Sequence, residues 1–288
     1  MSTGLASRRL FCFGLGFSAL ALARHLARQG YAIAGTCRSE EKAAKLRDEG
    51  IEAFVYSSDH ALDPTALQGT THLLVSIPPD ENDDRVARTF GPLLQQQPLQ
   101  WVGYLSTTGV YGDRGGDWVD EASPLTPGTA RGQRRLEAEK QWAALDLLLH
   151  IFRLAGIYGP GRNQLAALRA GTARRIIKPG QIFSRIHVED IANVLAASIA
   201  QPHPGAAYNV CDNEPAPPQD VIAYGAKLLG IDPPPEILFE DADLSPMAKS
   251  FYAESKRVSN QRLREELGVT LTYPTYREGL KALLEQSN

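Results

Sequence analysis

A glycine-rich turn near the start of the chain has the spacing of a phosphate-binding loop. Gly14 and Gly16 follow a short apolar run, and Ala19 completes a Gly-x-Gly-x-x-Ala pattern. In such a turn the first glycine permits the bend, the second lets the backbone approach a pyrophosphate, and the small third residue lets helix and strand pack closely. The next helix, beginning at Phe17 and Ser18, then points its amides at the phosphates. The pattern predicts a dinucleotide site; the alternative is a turn whose small residues serve packing alone.

The residues that end the second apolar run indicate which dinucleotide is bound. An NAD site usually carries a carboxylate there, which accepts hydrogen bonds from the adenosine ribose. This chain has Arg38 and Ser39 instead, a planar guanidinium followed by a hydroxyl at the start of a helix. These groups suit the 2′-phosphate of NADP, so we expect NADP rather than NAD. The alternative is that Arg38 is an ordinary exposed arginine.

The elements that must position these residues alternate between strand and helix. Apolar runs of strand length are separated by stretches of helical periodicity, which predicts a parallel sheet with helices on both faces. The predicted strands are residues 9–13, 31–36, 51–55, 71–77, 100–105 and 147–154. The predicted helices are residues 17–29, 40–49, 80–97, 131–145 and 188–200. The fold class is therefore α/β, a doubly wound parallel Rossmann sheet.

The second half of the chain differs in composition from the first. Prolines and glycines cluster after about Gly156, which predicts a smaller C-terminal α/β lobe. We expect a Rossmann domain over residues 1–156 and a substrate lobe over residues 157–288, from which residues 181–212 return to the sheet. Ligands bind at the carboxyl ends of strands in such sheets. The remaining cofactor contacts are therefore expected at Ser76, Ile77, Ser106 and Gly156.

Charge and cysteine content exclude several classes of protein. The 288 residues include 30 basic and 33 acidic ones, a net charge of -3, so we expect no nucleic-acid partner. Cys12, Cys37 and Cys211 are odd in number and widely spaced, which indicates neither a disulfide framework nor a zinc site. We expect no metal.

The N-terminal segment resembles an export signal of the twin-arginine type. It contains Ser7-Arg8-Arg9 followed by an apolar stretch. Cleavage after that stretch would remove the predicted glycine turn, so we expect a cytoplasmic protein instead. We expect no membrane span, because a span needs about 18 or more apolar residues in succession.

Several runs along the chain share the order and spacing of one enzyme family. They are residues 105–112 (LSTTGVYG), 120–121 (DE), 153–161 (RLAGIYGPG), 185–192 (RIHVEDIA), 208–210 (YNV) and 273–280 (YPTYREGL). Together they resemble the extended short-chain dehydrogenase/reductases, the group that contains nucleotide-sugar epimerases and dehydratases. The resemblance covers nearly the whole chain. It implies an NAD(P) cofactor and hydride transfer.

The resemblance also implies a hydroxyl, a tyrosine and a lysine at the reaction centre. Thr107 takes the place of the hydroxyl, which can hydrogen-bond a carbonyl or an alcohol. Gly132 and Glu139 set the register of the following helix. In that register Arg131 stands in place of the tyrosine and Arg135 in place of the lysine. A guanidinium stays protonated, so Arg131 cannot move the proton.

The two arginines suggest binding roles instead. Arg135 could hold the hydroxyls of the nicotinamide ribose, as the lysine would. Arg131, one helical turn earlier, could bind an anionic group of the substrate or a second phosphate. The alternative is a solvated basic helix face.

Other residues in family-like runs are candidates for the reaction site. Thr108, Tyr158 and His187 are expected to contact the substrate. Asp84, or the neighbouring Asp83, is a candidate for proton transfer early in the helix after the fourth strand. The alternatives are a packing role for Tyr158, a buried and satisfied His187, and a helix N-terminal charge for the aspartates.

These observations predict an NADP-dependent oxidoreductase or an epimerase/dehydratase-like enzyme. The substrate would be a small molecule with a hydroxyl or carbonyl group, such as a nucleotide sugar. The alternative is a non-catalytic NADP-binding protein that regulates by sensing redox state. The sequence leaves a homodimer open.

Overall fold

A sheet of seven strands forms the centre of the fold in this computed structural model, which describes residues 8–81 and 83–286. In chain order the strands are β1 (Arg9–Phe13), β2 (Ala32–Cys37), β3 (Glu52–Val55), β4 (His72–Val75), β5 (Trp101–Thr107), β6 (Trp118–Val119), β7 (Leu149–Leu154), β8 (Gly156–Tyr158), β9 (Arg175–Ile177), β10 (Arg185–His187), β11 (Ala207–Val210), β12 (Glu236–Leu238) and β13 (Arg257–Val258). The central sheet has the order β11-β7-β5-β4-β1-β2-β3. The chain is therefore a doubly wound α/β protein, as predicted.

Helices connect the strands of this sheet. In chain order they are α1 (Phe17–Ala27), α2 (Glu40–Asp48), α3 (Arg85–Leu94), α4 (Ala130–Ala143), α5 (Gln164–Arg169), α6 (Val188–Ala200), α7 (Pro218–Leu229), α8 (Pro246–Tyr252), α9 (Gln261–Leu267) and α10 (Tyr276–Glu285). Short 3₁₀ segments lie at Pro64–Leu67, Thr108–Tyr111 and Phe239–Asp241. None of the helices in the two described ranges is long and apolar enough to cross a membrane.

Parallel pairing brings the carboxyl ends of neighbouring strands to one edge of the sheet. β1 pairs in parallel with β2, from Arg9 opposite Ala32, and with β4, from Leu10 opposite His72. β2 continues to β3 and β4 continues to β5, both in parallel. The turn that follows β1 therefore lies between the ends of β2 and β4, where a parallel sheet binds its ligands.

The strands are buried because their apolar side chains face helices. Phe11 and Phe13 of β1 are fully buried, and the Phe13 ring lies 5.0 Å from the ring of Phe90 on α3. Trp142 on α4 and Tyr104 on β5 belong to the same core. Burial of such large side chains contributes about 1.5–3 kcal/mol each, which holds α3 and α4 against the sheet.

The chain divides into two compact units, each made of several segments. The first contains the chain up to Ser106, with residues 134–152 and 191–207. The second contains residues 107–133, 153–190 and the chain from Tyr208 onward. The domain boundary predicted at Gly156 is close to one crossing, but residues 107–133 belong to the second unit. The sequence predicted that residues 181–212 return to the Rossmann sheet. In the structure, residues 191–207 belong to the first unit.

The helix after β4 shows how a local contact changes a predicted boundary. Periodicity predicted a helix over residues 80–97, whereas α3 begins at Arg85 and ends at Leu94. Asp84 starts the helix because its side chain accepts hydrogen bonds from the amides of Val86 and Ala87. At the N-terminus, Ser7 of the pattern that resembles an export signal lies outside the described residues.

Candidate cofactor and catalytic site

The turn between β1 and α1 leaves open space in front of the helix. Gly14 has a φ of +91°, which favours glycine, and a Cβ there would lie 2.9 Å from Ile77 Cγ1. Gly16 caps α1 without a side-chain hydrogen bond, and a Cβ on it would have no heavy atom within 4 Å. Phe17 and Ser18 form the start of the helix. The N-terminus of α1 therefore borders space that a pyrophosphate can fill.

The neighbouring strand β2 fixes the shape of this turn. Buried Thr36 accepts a hydrogen bond from the Gly14 amide with its Oγ1 at 2.8 Å, and from the Leu15 amide with its carbonyl at 2.7 Å. Gly35 permits the close approach of β2, because a Cβ there would lie 2.5 Å from the Cys12 carbonyl oxygen. The glycine turn is thus held by backbone and hydroxyl contacts rather than by bulky side chains.

Two positive side chains lie at or just before the start of α2, and one of them contacts the turn. Ser39 caps the helix, and its Oγ accepts a hydrogen bond from the Lys42 amide at 3.4 Å. Lys42 Nζ donates to the carbonyl of Leu15, within the glycine turn, at 2.6 Å. Arg38 is exposed at the end of β2. A lysine that the sequence analysis did not identify therefore joins this region to the turn.

The carboxylates nearby are already paired with other cations. Each acidic residue in the first turn of α2 pairs with a base further along the helix, Glu40 with Arg47 and Glu41 with Lys45. Within the described part of the chain, neither Arg38 nor Lys42 contacts a carboxylate. Their charges are therefore available to an anion at the N-terminus of α2.

The residues that follow β4 border the same turn. The Ser76 amide donates to the Phe13 carbonyl at 2.9 Å, and Ile77 packs against Gly14. Both Ser76 and Ile77 are half-buried. The structure thus brings these two predicted cofactor contacts to the glycine turn, although their contact with a cofactor stays a prediction.

The carboxyl end of β5 is tied to α4 by polar side chains. Arg135 donates from one guanidinium nitrogen to Tyr104 Oη at 3.0 Å and to the Leu105 carbonyl at 2.9 Å. Ser106 Oγ donates to the carboxylate of Glu139, and both side chains are buried. Arg135 and Ser106, predicted to contact the cofactor, therefore both contact groups of the protein in this unit.

Asp84 lies inside the first unit rather than at its surface. It is only 1% exposed, and one carboxylate oxygen caps α3. Its amide donates to the side-chain oxygen of Gln141 on α4 at 2.8 Å. Burial raises the pKa of the Asp84 carboxyl, while the backbone amides, Trp142 and Arg135 act in the opposite direction. This placement matches the helix N-terminal charge considered above, and proton transfer by Asp84 stays a prediction.

The segment after β5 begins the second unit. Thr107 Oγ1 accepts a hydrogen bond from the Gly109 amide at 3.2 Å and so caps the 3₁₀ segment that begins at Thr108. Both threonines are half-buried. Gly132 on α4 permits close packing here, because a Cβ would lie 2.8 Å from the Gly109 carbonyl oxygen. The glycine of the proposed family register therefore meets a steric need.

Arg131 has a different environment from Arg135, although both lie on α4. Its side chain is exposed, and its guanidinium lies 5.6 Å from the ring centroid of Phe251 in the second unit. A cation over an aromatic face is attracted by about 0.5–1 kcal/mol at an exposed site. Arg131 is thus a surface cation supported by an aromatic ring.

Tyr158 and His187 contact each other in the interior of the second unit. Their ring centroids are 5.1 Å apart, and the His187 ring lies 4.1 Å from that of Tyr273. Burial raises the pKa of Tyr158 and lowers that of His187. Gly156 is exposed on β8, next to the Ser184 carbonyl. The two rings are packed as core residues, and their predicted substrate contacts stay predictions.

Comparison with known proteins identifies the family. No protein-family model matches the chain. A solved structure of a conserved protein of unknown function from Silicibacter pomeroyi is 54% identical, with a TM-score of 0.91, over 98% of this chain and 99% of that chain. A solved structure from Methylobacillus flagellatus, assigned as an NAD-dependent epimerase/dehydratase, is 29% identical to this chain, with a TM-score of 0.70. The match covers 98% of this chain and 99% of that chain.

A further relative has a named activity. The 3-diazoavenalumate denitrifying reductase of a Streptomyces species is 30% identical over 82% of this chain and 74% of that protein. The chain belongs to the extended short-chain dehydrogenase/reductase superfamily. The predicted family is thereby confirmed.

Several residues of this superfamily member were not identified as site residues from the sequence. They are Thr36, Lys42 and Tyr104, together with Glu139, which served only to set the register. Thr36 lies just before the end of β2, so a hydroxyl at that position was a usable signal. Lys42 lies four residues after Arg38, in the first turn of α2, and a second cation so close to Arg38 was also a usable signal. The Ser106 contact of Glu139 had no local signal, because the two residues are distant in sequence.

Proposed function

We propose that this chain is an NADP-dependent reductase that delivers hydride to a small anionic acceptor. The observation that carries the proposal is the pair of cations at the start of α2, Arg38 and Lys42, which have no carboxylate partner in the described residues. Lys42 also contacts the open glycine turn at the Leu15 carbonyl. An adenosine 2′-phosphate needs such a pair of donors, whereas the ribose of NAD needs an acceptor.

The groups present fit NADP at both of its phosphate regions. The space at Gly16 would take the pyrophosphate against the N-terminus of α1. Arg38 would bind the 2′-phosphate through two parallel hydrogen bonds, and Ser39, which caps α2, would add its hydroxyl. When bound, the nicotinamide supplies or accepts a hydride. Everything else in the reaction must come from this chain's side chains or from the acceptor.

The side chain of Arg131 limits which acceptors the hydride can reduce. Interconversion of an alcohol and a carbonyl moves a proton to or from the oxygen in either direction, and a guanidinium cannot carry that proton. Hydride addition to a cationic acceptor, such as a diazonium group that leaves as dinitrogen, forms no oxyanion and needs no such group. The relative named as a denitrifying reductase supports reduction as the direction of transfer.

The charge of Arg131 also suggests what the acceptor carries. An exposed guanidinium on a helix, supported by the Phe251 ring, can bind a carboxylate or phosphate through two parallel hydrogen bonds. We infer that the acceptor has an anionic group and that Arg131 binds it. Thr107 would orient the reacting group by a hydrogen bond.

The test is NADPH oxidation with a panel of acceptors. The panel contains aldehydes, ketones, nucleotide sugars and a diazo acid, each offered with and without a carboxylate. Arg131→Ala should raise KM for the anionic acceptor about tenfold and leave kcat within a few-fold, because it removes a charge contact and no proton path. Lys140→Ala, which removes an exposed cation from the same helix, is the control.

Two results would contradict the proposal. A protein that binds NADPH tightly but oxidises it with no acceptor of the panel would favour the non-catalytic regulatory alternative. Turnover that is lost in Arg131→Ala without any change in KM would show that Arg131 does not bind the acceptor.

A further inference from the structure

We propose that the acceptor is an aromatic acid, whose carboxylate binds Arg131 and whose ring packs on the exposed surface of Phe251. That this acid accepts hydride rests on the function proposed above, whereas its binding does not. The proposal makes Phe251 a specificity-determining residue, which touches the ligand and takes no part in hydride or proton transfer.

The first observation is the position of the Arg131 guanidinium over the Phe251 ring. The guanidinium carbon lies 5.6 Å from the ring centroid. A guanidinium centred on the ring in van der Waals contact would lie about 4 Å from the centroid. The cation therefore leaves room at the ring, and Phe251 stays 50% exposed. Aromatic surface beside a positive charge is thus open to a ligand.

The two side chains match the two parts of an aromatic acid. A guanidinium meets a ring through its face and a carboxylate through the N–H groups at its edge, so the contact with Phe251 does not compete with an anion. The ring of the acid would then lie beside Phe251, and aromatic pairs attract each other at centroid separations of about 4.5–7 Å. A saturated acid would satisfy the cation alone, and a neutral aromatic ring would satisfy Phe251 alone.

The second observation is that the helix carrying Phe251 is anchored through its next residue. Lys178 Nζ donates to the carbonyl of Tyr252, the last residue of α8. The Tyr252 ring lies 5.7 Å from the ring of Phe183 and 5.2 Å from the ring of Phe239. Tyr252 therefore holds the end of α8, while Phe251 remains exposed. A ring presented by an anchored helix loses little further freedom when a ligand binds.

The third observation joins Arg131 to the segment of the predicted reaction hydroxyl. A Cβ on the adjoining Gly132 would lie 2.8 Å from the Gly109 carbonyl oxygen, and the Gly132 amide donates to Thr129 Oγ1 at 3.2 Å. The Gly109 amide in turn donates to Thr107 Oγ1 at 3.2 Å. An acid bound by Arg131 is therefore brought to the segment that contains Thr107.

Three unreactive probes of similar size separate the ring from the charge. Benzoate has both, cyclohexanecarboxylate has the charge without an aromatic ring, and benzamide has the ring without the charge. NMR titration measures their affinities for the full chain, without cofactor and with NADP. The wild type should bind benzoate with a Kd on the order of 10 mM or below. It should bind cyclohexanecarboxylate about three- to tenfold more weakly and benzamide about tenfold more weakly.

Each variant should remove one preference and keep the other. In Phe251→Leu the preference for benzoate over cyclohexanecarboxylate should disappear, and the preference over benzamide should remain. Arg131→Ala should show the reverse. The control is Ile231→Ala, which removes an apolar side chain of similar exposure, 47%, from the same unit and should alter neither preference.

Two results of these titrations would overturn the proposal. Equal losses for the two carboxylates in Phe251→Leu would show that Phe251 only supports Arg131. A wild type that binds benzoate no more tightly than the other two probes would show that the cation and the ring do not act on one ligand.

Uridine monophosphate tests a nucleotide as the competing occupant. In a nucleotide a ribose separates the aromatic base from the phosphate, whereas the cation and the ring of this site contact each other directly. Phe251→Leu should therefore change the affinity for uridine monophosphate less than about twofold. A loss as large as that for benzoate would overturn the aromatic acid in favour of a nucleotide.

Turnover distinguishes failure of this inference from failure of the proposed function. With NADPH, an aromatic acid acceptor should have a KM about three- to tenfold below that of the matched saturated acid, and Phe251→Leu should remove the difference. NADPH oxidation that is indifferent to the ring would leave the proposed function standing and overturn the aromatic acid. A chain that neither binds nor oxidises NADPH would contradict the proposed function, whereas the benzoate titration would still decide whether Arg131 and Phe251 bind an aromatic acid.

Discussion

The glycine turn and the start of α4 differ in how they relate to the superfamily. The turn keeps the family pattern, with Gly14 in a left-handed conformation and open space at Gly16. The start of α4 packs Gly132 closely, and in the register predicted from the sequence Arg131 and Arg135 take the places of the family's tyrosine and lysine. The prediction is thus that the glycine turn follows the family pattern and that the start of α4 departs from it.

The difference separates two physical requirements. A phosphate site at a helix N-terminus is built from backbone amides and needs only that side chains stay out of the way. Proton transfer needs a side chain whose pKa lies near the working pH, and arginine lacks one. A chain can therefore retain cofactor binding while its acid–base chemistry changes.

The largest effect is expected at Gly16. In Gly16→Val the side chain would occupy the open space at the N-terminus of α1, so NADPH affinity should fall by at least about 100-fold. The fold should persist, because a Cβ at this position meets no protein atom within 4 Å. Fluorescence titration with NADPH and thermal unfolding measure the two quantities. Ala27→Val, at the exposed end of the same helix, is the control. Unchanged affinity in Gly16→Val would show that the turn serves packing only.

The next effect concerns the choice between NADP and NAD. Arg38→Ala should weaken NADP by about 1.5–3 kcal/mol and leave NAD nearly unchanged, because a charged hydrogen bond to the 2′-phosphate is lost. Calorimetric titration of both dinucleotides against wild type and variant measures this difference. Lys45→Ala, a cation on α2 that pairs with Glu41, is the control. Equal losses for the two dinucleotides would remove the basis for NADP.

A smaller effect on folding stability is expected when the pH is lowered, because His72 lies buried on β4 of the central sheet. Burial, aided by the charge of Arg8, lowers the pKa of His72 on β4 to about 4. The unfolded chain binds that proton near pH 6.5, so the stability that neutral His72 contributes is complete above 6.5 and is lost as the pH falls toward 4. The loss should be on the order of 1 kcal/mol after allowance for solvent screening.

Urea unfolding at pH 7 and pH 5 measures this loss. In His72→Phe the destabilisation between the two pH values should be smaller than in the wild type. An identical loss in both proteins would assign the acid sensitivity to other groups, those around α4 included.

No gain in turnover is expected when tyrosine and lysine are placed at the positions that the predicted family register gives them on α4. Arg131→Tyr combined with Arg135→Lys should not raise turnover of the anionic acceptor, because the variant loses the proposed anion contact along with the Arg135 bonds to β5. NADPH oxidation across the acceptor panel, with Arg131→Tyr alone as the comparison, measures this. A silent wild type beside an active double variant would indicate a binding protein that lost its acid–base pair.

Much of the fold followed from local sequence signals. The apolar runs predicted the strands of the first half, because a strand covered on both faces must be apolar throughout. Ser39 was predicted at the start of a helix, and it caps α2 as expected. The glycine turn was also predictable, because its spacing reflects steric needs within six consecutive residues. Boundaries were less accurate, as at α3, where a cap outweighed periodicity.

Only the tertiary structure decided the contacts between segments that lie far apart in the chain. The sequence identified Asp84, Ser106 and Arg135 as separate candidates, but only the structure showed that Asp84 is buried, that Ser106 donates to Glu139, and that Arg135 holds β5. Hydropathy and spacing report the environment of a residue along its own helix or strand. They carry no information on which charge from another element will lie beside it, because that depends on how the whole sheet and its helices pack.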